Sequence, residues 1–295
     1  MKKGPFIRVP RTTGTIMFLV FLSLLPSAGA GIYHYGLYAA AVMGVSLLTA
    51  LASELLWDLV TRKKLTLDDY SWAVTGLVLG LILPPSVPLY FPAAGSACAI
   101  LAGKMLFGGI GKNILNPAAS GKLLLLILFR EVMNDFSGGS FDAISPLQQL
   151  ASGNSVDLLD MVTGSVPANI GTGSAVAILL GAAFLALTGV LDIRIPLFSL
   201  ISFVALLAFF GGGTDILHYA GQICGGSFLF TAFFMATDYT TSPMTGPGRC
   251  LYGLLFGAAA AFGRTLGYTE EACIYALLLC NILARPIDMG VNSVR

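Results

Sequence analysis

Charge is scarce in this chain. Asp, Glu, Lys and Arg make up 11% of its 295 residues and the net charge is +1, against roughly 25% charged residues in an ordinary soluble domain. So neutral a balance lacks the basic footprint of a nucleic-acid binder, and no nucleic acid is expected as a partner. Two histidines are too few for a His-based metal or haem site. The five cysteines (Cys98, Cys224, Cys250, Cys273 and Cys280) contain no CxxC pair. They lie in or near apolar segments and read as small buried hydrophobes, with no iron–sulfur pattern. No GxGxxG follows a strand-like run, so no nicotinamide site is expected here.

What the chain has in quantity is hydrocarbon: 56% of residues are hydrophobic and the mean hydropathy is +0.84. That composition makes it an all-α integral membrane protein, with the lipid bilayer as its first partner. Allowing roughly 20 apolar residues per span, the sequence divides into ten transmembrane helices. They cover Thr13–Ala30, Leu37–Val60, Tyr70–Pro84, Phe91–Gly108, Pro117–Arg130, Ser174–Val190, Pro196–Gly211, Ile216–Ala236, Arg249–Tyr268 and Glu271–Arg285. LLPSAGAG after the first run imitates a signal-peptide cleavage site, but the multispanning chain behind it argues for a retained helix.

Lys and Arg set the orientation. Lys2, Lys3, Arg8, Arg11, Arg62, Lys63, Lys64, Lys104, Lys112, Lys122, Arg194, Arg249, Arg285 and Arg295 fall on one side of a ten-helix count, and only Arg130 and Arg264 fall towards the other. Both termini are therefore expected in the cytoplasm. The long connection Glu131–Thr172 then lies outside, with five acidic residues and no base after Arg130. A connection of that length is usually functional; the plainer reading is a solvated cap.

The apolar pattern is broken most conspicuously at Phe107–Gly121, FGGIGKNILNPAASG. Backbone that leaves the helix at membrane depth must be buried in protein or line a wet cavity. A counterpart exists. Pro88–Pro117 and Asp215–Pro243 share a layout, a small-residue-rich helix followed by Asn113…Asn116-Pro117 in one and Asp238…Ser242-Pro243 in the other. Each half holds five spans, so the second half enters the membrane with opposite polarity. The expected architecture is a 5+5 inverted-repeat bundle in which the two broken segments meet near the midplane, as in many transporters. Its parts are residues 1–130, a first five-helix repeat; 131–172, the external loop; and 173–295, the second repeat. Gly76 and Gly80, the run Gly95–Gly103, and Gly253, Gly257 and Gly263 mark faces for close helix packing, or else a slot for a flat aromatic ligand.

Several polar residues sit within these spans. Glu54 and Asp58 project from one face of the second helix. Asp58 is expected to be solvated beside Arg62, and Glu54 to lie on a cation or proton pathway, a buried hydrogen bond being the alternative. Asp238 with Thr237, Thr240, Thr241 and Ser242 offers oxygens to a hard cation or a heterocycle, or forms a helix-capping network. Arg264 either snorkels or holds an anionic group from the loop.

FGGIGKNILNPA, GTGSAVAILLGAAFLALTG followed by RIPL, and FMATDYTTSPMTGPGR resemble the signature segments of one family. It comprises the D subunit of the Rnf electron transport complex and the B subunit of the sodium-translocating NADH:quinone reductase. The resemblance runs from about the second helix to the C-terminus. It implies a multi-pass component of a bacterial or archaeal cytoplasmic (inner) membrane, with both termini cytoplasmic. Such a protein would carry flavin and pass electrons between partners, coupled to Na⁺ or H⁺ movement. Partners must supply the NADH and iron–sulfur sites, so the chain is not catalytic alone. Family members usually carry FMN on a loop threonine in a pattern close to D-[AG]-x-[ST]-[GS]-A-T-P-L. The matching segment here is FDAISPLQQL, shorter by three residues, with Ser145 at the acceptor position; Thr163 and Ser165 lie in a second partial match. A further, non-covalent flavin, riboflavin or FMN, is implied between the breaks at Asn113, Asn116, Asp238, Thr240 and Thr241. The competing functions are a non-redox channel or solute transporter on the same body, and a membrane scaffold.

Overall fold

The computed structural model describes residues 12–62, 66–138, 141, 144–154, 156–210, 216–268 and 270–293. Among them the chain is helical, with one isolated bridge between Gly138 and Phe141. Lys2, Lys3, Arg8, Arg11, Lys63, Lys64, Asp142, Ala143 and Arg295, used in the charge count and the loop motif, lie outside the described residues.

The first half is α1 (Thr13–Tyr35), α2 (Leu37–Thr61), α3 (Ser71–Leu81), α4 (Tyr90–Leu101) and α5 (Pro117–Leu128). The second is α9 (Ala175–Leu187), α10 (Arg194–Phe210), α11 (Ile216–Cys224), α12 (Phe228–Phe230) with a π-turn at Thr231–Met235, α13 (Gly246–Thr265) and α14 (Ala272–Ser293). Between them lie the short helices α6 (Arg130–Met133), α7 (Pro146–Ala151) and α8 (Leu158–Thr163). Each of the ten expected segments therefore contains helix, but the lengths differ from expectation. Among the described residues four helices are long and apolar enough to cross a membrane, at Thr13–Tyr35, Leu37–Thr61, Tyr90–Phe107 and Ala272–Val291; α3, α5, α9 and α10 are apolar but shorter. α5 starts at Pro117 as expected and is shortened at its far end, where Phe129 leaves the helical conformation with φ −141°.

Packing pairs the halves in kind. In the first, α2 contacts α4 and α4 contacts α5; in the second, α10 contacts α13 and α13 contacts α14. Glycine makes these approaches possible. A Cβ on Gly76 or Gly80 would stand 3.0 Å from the α2 backbone, and one on Gly257 would overlap the Ser199 carbonyl on α10. The glycine faces thus serve packing, and one apolar core runs from Leu24 and Val42 through Leu79, Ala119, Phe228 and Tyr252 to Leu277.

The long connection is a folded cap. Leu81 and Leu83 end α3 with free carbonyls, as any helix must. Gly171 and Ile170 donate to them at 2.7 and 3.0 Å, and Tyr35 bonds Val166 and Ala168 across the bundle. The connection is therefore tied to α1 and α3 at one end of the bundle.

Candidate functional site

Both breaks are built from residues that stop helices. After α4 the chain turns through Gly108, Gly109 and Gly111, all with φ between 81° and 104°, a region that glycine alone enters freely. Asn116 then caps α5, its Oδ1 accepting from Ala119 N at 3.2 Å with Pro117 at the first helical position. The second break follows the π-turn, a feature frequent at functional sites. Asp238 accepts from the backbone and hydroxyl of Thr240 at 3.1 and 2.9 Å, and Thr245 caps α13.

The two breaks touch. Asn113 Nδ2 donates to Thr240 Oγ1 at 3.2 Å, and Thr240 Oγ1 donates on to Asp238. Asn281 of α14 holds both: its Oδ1 accepts from Asn116 N at 2.9 Å, and its Nδ2 donates to Thr241 O and Tyr252 Oη. The lone amide in the run LLLCNIL was the available signal for Asn281, because a buried amide inside an apolar helix demands partners.

Beside this junction lies a cavity of about 220 Å³, against a share of about 30 Å³ per liquid water. Asn113, Asn116, Asp238 and Thr240 line it; so do Lys104, Ser71 and Thr75, which the sequence did not single out. Its other walls are apolar, from Met17, Val74, Val78, Leu185 and Phe234 among others. Thr241 is buried next to the cavity but does not line it. A mostly apolar space with a few convergent polar groups has the form of a small-molecule site.

Glu54 is separate from the cavity wall and joined to it. Its carboxylate is fully buried and accepts from Lys104 Nζ at 2.6 Å and from the Thr66 hydroxyl at 2.8 Å. Lys104 also donates to Ser71, which is held by Asp69. Asp58 is not solvated: it is 1% exposed and accepts from Thr66 at 2.8 and 2.9 Å. Lys104 and Lys122 are also buried, so neither is a surface charge of the kind the orientation count assumed.

At the other end of α5, Ser145 departs from the exposed acceptor that the loop motif implied. It is fully buried and caps α7 in a reciprocal capping box with Gln148, at 3.3 and 3.1 Å. Ser-Pro-Leu-Gln carries that signature in the sequence itself. Thr163 and Ser165 are exposed. Arg264 is buried and, among the described residues, holds no loop anion; it donates to Gln222 and Gly225 and covers the Phe203 ring at 4.9 Å, closing the end of α11.

Over residues 1–294 the chain matches the family described as NQR2, RnfD, RnfE. It is 32% identical to the D subunit of the Na(+)-translocating ferredoxin:NAD(+) oxidoreductase complex of Acetobacterium woodii, over 98% of this chain and 92% of that one. It is 31% identical to the D subunit of the proton-translocating ferredoxin:NAD(+) oxidoreductase complex of Clostridium ljungdahlii, over 100% and 95%. It is 32% identical to the D subunit of the ion-translocating oxidoreductase complex of Methanosarcina acetivorans, over 98% and 92%.

Proposed function

This chain belongs to the NQR2, RnfD, RnfE family, and from that premise we propose that it is a flavin-carrying membrane subunit of an ion-translocating, Rnf-type electron transport complex. It passes electrons between partner subunits, including those with NADH and iron–sulfur sites, as Na⁺ or H⁺ moves. Its body is the ten-helix 5+5 inverted repeat of residues 1–130 and 173–295, capped by residues 131–172. It sits in a cytoplasmic membrane with both termini inside. The observation that carries the reading is the cavity between the breaks, where Asn113, Asn116, Thr240 and Lys104 converge against apolar walls.

That donor set fits a flavin. The apolar side chains of Val74, Val78 and Phe234 suit a flat aromatic ring. The Asn116 side-chain amide nitrogen and the third donor of the Lys104 ammonium, whose other two serve Glu54 and Ser71, can donate to the oxygens and nitrogens at the polar edge of such a ring. When bound, a flavin supplies one- and two-electron transfer. The chain's own part is to orient the ring, exclude water with the apolar walls, and place the Lys104 charge where electron density gathers on reduction. Glu54 holds that ammonium in place, so on this reading it tunes the site through Lys104.

Covalent FMN at Ser145 does not fit the folded loop, because its hydroxyl is buried and engaged as a cap. A phosphoester in this connection is better suited by the exposed Thr163 or Ser165. Intact mass of the full chain, with flavin assay after acid denaturation, tests both parts. Flavin released into solution supports the cavity. An adduct on the chain that disappears in Thr163→Ala or Ser165→Ala supports the exposed acceptor. Absence of both, in the chain taken from its assembled complex, favours the non-redox channel.

A further inference from the structure

A second polar enclosure lies one helical turn beyond the main cavity. On α5, Ala118 faces the main cavity, while Lys122, at i+4, faces this one; on α3, Val78 and Ile82 divide in the same way. Positions four apart share a helix face and stand about 6 Å apart along its axis. The second space measures about 10 Å³ and is bounded by Lys122, Glu270, Glu271, Asn169, Asn134 and Ser227 with apolar neighbours. That is about the room one water needs, provided two to four polar groups reach it.

The polar groups are there and are short of partners. Glu270 and Asn169 are 7% and 4% exposed, and among the described residues Glu270 Oε2 and Asn169 Oδ1 have no hydrogen-bond partner. Lys122 is 5% exposed, and the contact of its Nζ is Met133 Sδ at 3.8 Å. A thioether is a weak acceptor and leaves most of the ammonium's donor capacity unused. Unmet polar groups buried in this way are costly, and the space that Lys122, Glu270 and Asn169 line together has about the room of one water to serve them. Glu271 is occupied elsewhere, accepting from Arg130 and Asn134 at 2.9 and 2.5 Å.

We propose that Lys122, Glu270 and Asn169 enclose a proton-exchange site built around one bound water. A proton leaves the Lys122 ammonium through the water to a Glu270 oxygen: one N–H bond breaks and one O–H bond forms. The ammonium and the carboxylate become an amine and a carboxylic acid with no change in net charge, and the reverse step restores them. Asn169 fixes the water. The charged and titratable groups facing Glu270 are Lys122, Arg264 on α13, Glu271, Cys273 on α14 and Tyr35 on α1, with the Ser145 hydroxyl above. Burial pushes the Glu270 carboxyl above the ordinary carboxylate range, against the Ser145 hydroxyl and the Arg264 and Lys122 charges. This inference needs no redox partner and stands apart from the flavin reading.

The test is infrared difference spectroscopy of the full chain in lipid nanodiscs, titrated in H₂O and D₂O. A protonated-carboxyl band should titrate reversibly and be lost in Glu270→Gln. In Lys122→Met its midpoint should rise by about one pH unit, because the carboxylate loses a neighbouring cation. In Asn169→Leu, which fills the water position, the midpoint should also move. A Glu270→Gln spectrum identical to wild type overturns the proposal, as does a midpoint unmoved by Lys122→Met. If Glu270→Gln does not fold, the Lys122→Met and Asn169→Leu midpoints decide it alone.

Discussion

Two successive turns of α5 bury polar groups to opposite effect. At its N-terminus the residues around Asn116 border a cavity of about 220 Å³, and the lysine there is paired, Lys104 bonding Glu54 at 2.6 Å. Further along, Lys122 stands beside carboxylates it does not bond directly, around a space of about 10 Å³. Polar side chains at membrane depth are expensive in either place. Free volume is what separates them, about 220 Å³ in one place and about 10 Å³ in the other.

The comparison breaks most sharply at Lys104. If its pairing with Glu54 is structural, Glu54→Ala strands a buried ammonium and should cost about 3–5 kcal/mol, read as lost resistance to unfolding in detergent. The double variant Glu54→Gln with Lys104→Met should recover much of that loss. Should Glu54→Ala prove as stable as wild type, the pair is not holding the cavity wall.

A smaller effect is expected at the junction of the breaks. Asn281→Leu removes the amide that ties Asn116 to Thr241 and Tyr252 and leaves buried groups unmet, at about 1–3 kcal/mol. The loss should appear in thermal unfolding, and hydrogen exchange should quicken at both breaks together; faster exchange at one alone would mean they are not coupled.

These residues divide what was legible in the sequence from what was not. The spans showed because apolar runs are long, and the breaks because Gly, Asn and Pro interrupt them. The two breaks were expected to face each other, and Asn113 of one bonds Thr240 of the other. The partners of the lysines were hidden, since Lys104 and Glu54 are 50 positions apart and no local pattern joins them. The local role of Ser145 was legible too, since Ser-x-x-Gln after Ile144 spells the helix cap in which it is buried.

Ser145→Ala sharpens the contrast from the loop side. Losing the cap should cost about 1 kcal/mol in thermal unfolding while any flavin adduct on the chain stays unchanged; loss of the adduct in this variant would return Ser145 to the cofactor's site. The smallest effect belongs to Asp192, between α9 and α10, which accepts from Arg249 at 2.5 Å. Burial pushes its carboxyl up, but the backbone N–H of Arg194 and the Arg249 hydrogen bond and charges outweigh it and hold it below the usual range. A depressed carboxyl stabilises the fold above its unfolded pKa and loses that contribution as pH falls through its folded one. Asp192→Asn should therefore cost under about 1 kcal/mol at neutral pH and nothing in strong acid, seen as converging unfolding curves.

The claim at the centre is that the space between the breaks is a flavin site, and the direct measurement is riboflavin binding to the full chain freed of flavin, followed by fluorescence quenching. The account predicts saturable binding in the wild type, weakened about tenfold, or about 1.4 kcal/mol, in Asn113→Leu. No saturable binding in the wild type, or equal affinity in the two proteins, would contradict it.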